Sequence, residues 1–247
     1  MKFLKRIFYI FWRCWFYGWV LFSIIAIFPV LLVVTSSENL YPTFFKIARI
    51  WAKTNLFVMG FRVKIIENQF IDKQKSYMFC PNHTSMIDVM IMLAIAKNPF
   101  VFVGKIELTK IPVFGFFYKR TCIIVDRSDS GSRKAVFDEA RRRLNNGLDV
   151  CIFPEGLVPS DESVILSDFK NGAFRLAIEH KIPIVPISFY DCKKRFSYTF
   201  FSGSPGLLRV KIHPFIDTNN LTLKDSNSLK KQTFGLIYND LLSDSLK

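Results

Sequence analysis

The chain is short of the residues that most often announce chemistry. Its 247 residues include only three histidines, His83, His180 and His213, so a side chain that titrates near neutral pH is scarce. The five cysteines, Cys14, Cys80, Cys122, Cys151 and Cys192, form no Cys-x-x-Cys pair, which argues against a zinc site. Three of them, Cys80, Cys122 and Cys151, lie in apolar strand-like runs and read as small core hydrophobes in a reducing compartment. No Gly-x-Ser-x-Gly elbow occurs, which removes the usual serine-hydrolase arrangement. Acids are few as well. Twenty Asp and Glu against 34 Lys and Arg leave a net charge of +14, which suits an anionic membrane surface, nucleic acid or a phosphorylated substrate. No nucleic-acid-binding motif accompanies that charge, so nucleic acid is not an expected partner.

Charge is missing altogether from residues 14–37, a run long enough for roughly 36 Å of helix against a hydrocarbon core of about 30 Å. Lys2, Lys5, Arg6 and Arg13 precede or adjoin it, and Trp12, Trp15 and Trp19 crowd one end as an interfacial belt would. A signal peptide fits less well, because the stretch is too long and no small-residue cleavage site follows it. Pro29 would kink a helix here. Residues 43–56 place Lys46, Arg49 and Lys53 at helical spacing among Phe44, Phe45, Ile47, Ile50 and Trp51. That pattern fits a helix in the membrane interface and equally one packed on a soluble domain. Residues 1–53 carry seven basic side chains and one acid, Glu38. Residues 1–58 are therefore expected to anchor the chain in a membrane, as one span or as two helices in one leaflet, with the basic end cytoplasmic.

From residue 59 to 247 strand-like and helix-like runs alternate in a single domain. Strands are expected at 62–66, 77–80, 100–103, 121–125, 150–153, 184–189 and 208–212. Most are continuously apolar, as when helices cover both faces of a sheet. Helices are expected at 133–145, with Ser132 as N-cap, at 173–179 and at 229–242. The fold class is α/β, a mostly parallel or mixed sheet flanked by helices, preceded by a membrane-associated helical segment.

The candidate chemistry sits where strands end. Asn82-His83-Thr84-Ser85-Met86-Ile87-Asp88 joins a strand closed by Pro81 to an apolar helix. With His83 in the turn and Asp88 in the first helical turn the two can meet. A carboxylate would then orient the imidazole and make it more basic, as abstraction of a hydroxyl proton requires. Ser85 to Asp88 fits a capping box equally well. Lys105 follows a strand, where a cation can face an anion or a developing oxyanion, or simply solvent. Arg127 ends another strand and suits bidentate phosphate recognition or a surface ion pair. Phe153-Pro154-Glu155-Gly156 ends a third in a carboxylate and a glycine, a common strand-to-loop turn. Lys170, before a helix start, reads alone as a solvated lysine.

Taken together and in this order, these elements resemble the glycerolipid acyltransferase family that includes the 1-acylglycerol-3-phosphate acyltransferases. His83 and Asp88 match its His-x4-Asp motif, and Lys105, Glu107 and Leu108 its Lys-x-Glu-Leu. Arg127 matches its strand-end arginine and residues 153–156 its Phe-Pro-Glu-Gly. Phe169, Lys170 and Gly172 match Phe-Lys-x-Gly, and residues 185–187 match Val-Pro-Ile. The resemblance covers about residues 75–190 plus a similar N-terminal anchor. It implies that His83 and Asp88 are catalytic, and that Lys105, Arg127, Glu155, Gly156 and Lys170 bind substrate. It further implies an acyl-CoA or acyl carrier protein donor, a lysolipid acceptor, and neither metal nor cofactor. One departure stands out. The family usually continues Glu-Gly-Thr-Arg-Ser, whereas this chain reads Glu155-Gly156-Leu157-Val158-Pro159-Ser160. The acceptor phosphate then loses a cation that Lys170 or Arg127 would have to supply, or the head group is not a bare phosphate.

Overall fold

The computed structural model describes residues 2–126, 130–159 and 161–246. The first helix, α1 (Lys2–Val34), passes through Pro29 without ending there. Most of its apolar surface is uncovered: Phe3, Phe11, Phe22, Ile25 and Val33 are all exposed. Trp12 and Phe16 are exceptions, buried against Phe196. The second helix, α2 (Tyr41–Val58), carries a proline in its first turn, where no backbone bond is lost. Phe45, Ala52 and Leu56 pack into the core, while Ile50 and Phe57 stay exposed. Hydrophobic packing is therefore continuous across residue 58.

Seven strands follow: β1 (Phe61–Glu67), β2 (Met78–Pro81), β3 (Phe100–Lys105), β4 (Ile123–Val125), β5 (Asp149–Cys151), β6 (Ile184–Phe189) and β7 (Gly206–Ile212). They form one sheet in the order β1-β7-β6-β2-β5-β3-β4. β6, β2, β5, β3 and β4 are mutually parallel, and β7 runs against β6 with β1 parallel to β7. The sheet is thus mixed. The other helices are α3 (Ile87–Ile95), α4 (Phe114–Thr121), α5 (Ser130–Asn145), α6 (Gly172–His180), α7 (Cys192–Phe196) and α8 (Ser226–Ser245). Alternation along the buried strands feeds two cores. Phe79, Cys151 and Val185 face α2, α3 and α7, whereas Met78, Val150 and Ile184 face α5, α6 and α8.

All seven expected strands are present, with two corrections at their ends. Residue 121 closes α4 instead of opening a strand, since Thr121 bonds back to the Phe117 carbonyl at 2.9 Å and the Cys122 amide to Tyr118 at 3.0 Å. Those helical bonds override a β-branched preference. β5 stops at Cys151, so Phe153 lies in the loop beyond it. Helix α5 begins at Ser130, which puts Ser132 inside its first turn and not at the cap.

Candidate active site

Five parallel strands point their C-terminal ends at one edge of the sheet, where open α/β folds present ligand-binding groups. Register sets the height of the residues there. Phe79 pairs with Cys151 and Cys151 with Phe102. His83 and Glu155 each lie four residues beyond this row and Lys105 three.

His83 sits in the turn after β2 and Asp88 in the first turn of α3. The imidazole Nδ1 is 2.9 Å from Asp88 Oδ2. The same oxygen accepts the backbone N–H of Thr84 at 2.6 Å and of Ser85 at 2.8 Å. Asp88 is fully buried, so it closes a helix start and holds the histidine at once. The expected capping box forms only by half: Asp88 accepts the Ser85 N–H, but α3 is capped at Met86 with no side-chain cap bond, because Ser85 Oγ turns to the Phe196 carbonyl. Asp88 at Nδ1 favours the tautomer that keeps the proton there, leaving the Nε2 lone pair available. The ring is 19 % exposed, and Nε2 makes no hydrogen bond among the described residues. Its face stacks on Phe153, centroids 4.1 Å apart, and Phe153 stacks on Phe102 at 6.0 Å.

Glu155 approaches from the loop after β5. Its Oε1 accepts the His83 N–H at 2.6 Å and its Oε2 the Ser167 N–H at 2.8 Å. Burial pushes this carboxyl up to about 7 even though the two amides pull the other way. Both oxygens are thus engaged with main chain, and the side chain ties the His83 turn to the neighbouring loop. Gly156 follows at φ +76°, a left-handed conformation that a side chain would strain, and its N–H reaches the Phe153 carbonyl at 3.0 Å.

The other expected residues spread along the same edge. Lys105 ends β3, two strands from β2, which at ~4.8 Å per strand is ~10 Å away. It is half-buried and in no ion pair among the described residues. The Lys170 amide bonds to the Pro154 carbonyl at 2.8 Å while its side chain is exposed. Arg127 lies outside the described residues. His213 is buried elsewhere, 2.7 Å from Ser188 Oγ, and does not join the site.

Three contributors escaped the sequence reading. Asn82 braces the turn against β6 by receiving the Phe189 N–H at 2.7 Å and donating to the Phe189 carbonyl at 3.1 Å. Ser85 Oγ donates to the Phe196 carbonyl of α7. Phe102 supports the stacked phenyl under the imidazole. Only the crowding of small polar residues around His83 hinted at Asn82 and Ser85.

A histidine oriented by a buried aspartate, at a strand-end edge where no serine or cysteine side chain bonds to the imidazole among the described residues, fits proton abstraction from a hydroxyl. The 1-acyl-sn-glycerol-3-phosphate acyltransferase alpha of Mus musculus is 29 % identical over 96 % of this chain and 84 % of its own. The human alpha enzyme is 30 % identical over 90 % of this chain and 77 % of its own. The fold matches the crystal structure of the 1-acyl-sn-glycerophosphate (LPA) acyltransferase PlsC from Thermotoga maritima, with a TM-score of 0.75 and 20 % identity over 98 % of both chains. With the Acyltransferase family model also matching residues 62–190, over half its length, the chain belongs to the acyltransferase family.

Proposed function

We propose that the protein transfers a fatty acyl group from a thioester, acyl-CoA or acyl carrier protein, to the free hydroxyl of a lysophospholipid, with 1-acylglycerol-3-phosphate the acceptor and phosphatidic acid the product. The observation that carries this reading is the 2.9 Å contact between His83 Nδ1 and a buried Asp88. His83 Nε2 takes the hydroxyl proton as the acceptor oxygen attacks the thioester carbonyl. The new C–O bond forms, the C–S bond breaks, and the proton passes from the imidazole to the departing thiolate. Asp88 steadies the imidazolium between these steps. Lys105, or backbone amides near it, meets the oxyanion, and Arg127 serves the acceptor phosphate. The names of the relatives support the choice of acceptor.

Residues 1–58 act as the membrane anchor of a catalytic domain at 59–247 that faces the cytoplasm. Residues 3–34 of α1 are long and apolar enough to cross a bilayer, and only 11 % of their most apolar window is buried against the protein. An acceptor and product that live in lipid require such proximity.

A second reading has one observation behind it. Leu157 and Val158 stand where the family usually has threonine and arginine, which favours a zwitterionic or amino-acid lysolipid instead. Purified enzyme in detergent, offered an acyl-CoA and a panel of lysolipids, separates the two by which acceptor is used. His83→Ala should abolish lysolipid-dependent transfer while the protein stays folded; retained transfer in that variant would overturn the catalytic assignment.

A further inference from the structure

A cavity of about 220 Å³ opens one residue from the imidazole. Thr84, Val158, Glu162, Lys193, Tyr198 and Thr199 are among the residues lining it. Thr84 is fixed relative to His83, because its amide shares Asp88 Oδ2 with the imidazole. Thr84 is nine-tenths buried, and its Oγ1 has no hydrogen-bond partner. A buried hydroxyl left unpaired is costly, and a ligand oxygen seated beside it would meet that need.

Lys193, in α7, supplies the cavity's cation. Its Nζ donates to the Val164 carbonyl at 3.0 Å and forms no ion pair among the described residues, although its charge is felt by the Asp161 and Glu162 carboxylates. Glu162 supplies an anion. Its carboxylate accepts the Thr199 hydroxyl, and that bond holds it below the usual glutamate range, so it is ionised at neutral pH. Val158 shares this lining at the position where the family's arginine would stand.

The wall formed by Tyr198 and Thr199 leads to the helix of exposed apolar residues. Arg13 of α1 donates to the carbonyls of Ser197 at 2.8 Å, Thr199 at 2.8 Å and Ser202 at 3.2 Å. Next in the same loop, Phe200 and Phe201 are exposed. A lipid whose chain lies along α1 and these phenyl rings has its polar end at the mouth of the cavity.

We propose that this cavity seats the phosphate of the acceptor lipid, with Lys193 as its cation and Thr84 as a hydroxyl ligand, and that Glu162 sets specificity by penalising a second negative charge on that phosphate. The proposal rests on the reading of the protein as a lysophospholipid acyltransferase. It places on α7 the cation that stands in for the family's missing arginine, in addition to the role given to Arg127.

The test uses the full chain in detergent with an acyl-CoA and 1-acylglycerol-3-phosphate. Lys193→Gln should raise the acceptor KM by roughly 10-fold or more, the range expected for one hydrogen bond to a charged group, with the donor KM unchanged. Lys193→Arg should restore it. Glu162→Gln should lower the acceptor KM by about 2- to 5-fold, as befits an exposed charge. An unchanged acceptor KM in Lys193→Gln, or equal rises for donor and acceptor, would overturn the proposal. If the wild type acylates no phosphate-bearing lysolipid, the functional reading fails. Binding of a non-reactive 1-alkylglycerol-3-phosphate analogue blocked at its hydroxyl then decides the cavity separately. Weaker binding to Lys193→Gln than to wild type supports the site, and equal binding refutes it.

Discussion

The two halves of the site, one residue apart at His83 and Thr84, are built in opposite ways. On the His83 side every charged group is buried and bonded to main chain: Asp88 holds two amides and an imidazole, Glu155 two more amides. On the Thr84 side, Glu162 is exposed and Lys193 partly so, and both are held only by bonds from or to loop residues. A general base must keep its geometry within a fraction of an ångström. A head-group pocket on loops can change its charges without moving that base. The contrast explains how a chain can keep the family's His-x4-Asp and lose its arginine.

The largest expected effect comes from the rigid half. All three donors to Asp88 converge on Oδ2. Asp88→Asn can keep an oxygen there while losing the charge that stabilises an imidazolium. We expect kcat to fall roughly 10³-fold, with little change in folding or in acceptor KM. Asp88→Ala leaves all three donors unmet and should cost about 3 kcal/mol of stability in addition, read from the shift in denaturant midpoint. Equal stability of the two variants would show that the carboxylate does not organise the turn.

Glu155 comes next, and its test is a pH series. The folded group titrates at about 7 against an ordinary value of 4.5, so the folded state binds this proton more tightly than the unfolded one. Its contribution to stability is full below about pH 4.5 and is lost as pH rises through 7, a decline of about 3 kcal/mol. Glu155→Gln removes that slope. It also turns an amide NH2 towards either the His83 or the Ser167 N–H, so kcat should fall by about 10-fold to 100-fold through displacement of the His83 turn. Parallel stability-versus-pH curves for the variant and wild type would refute the buried-acid reading.

The same contrast decides what could be read from the sequence. His83, Asp88 and Glu155 were legible because each lies within a few residues of a strand end, and apolar runs of four to seven residues betray strands. The sheet order was not legible, since nothing in the sequence of β2 says that β5 and β6 flank it. Helices α4 and α7, of 8 and 5 residues, are too short to stand out in the sequence. Lys193 was invisible for a related reason: it lies 110 residues from His83 and meets the cavity only because α7 packs beside α3. Glu155 was legible as a site residue but not in its contacts. The family resemblance pointed it to substrate, whereas both its oxygens are bound to amides.

The smallest effect should come from the stacked rings. Phe153 lies against the imidazole at 23° and on Phe102 at 10°, so it limits rotation of His83 about its own bonds. An aromatic contact of this kind is worth about 0.5–1.5 kcal/mol beyond its buried area. Phe153→Leu keeps the apolar floor and gives up the stacking. Its kcat should fall roughly 3- to 10-fold, since orientation is lost while the Asp88 bond remains. The acceptor KM should not move, because Phe153 does not line the cavity beside Thr84. A change in acceptor KM without a change in kcat would mean that the two halves of the site are mechanically coupled through the His83–Thr84 peptide, and that the rigid half also shapes recognition.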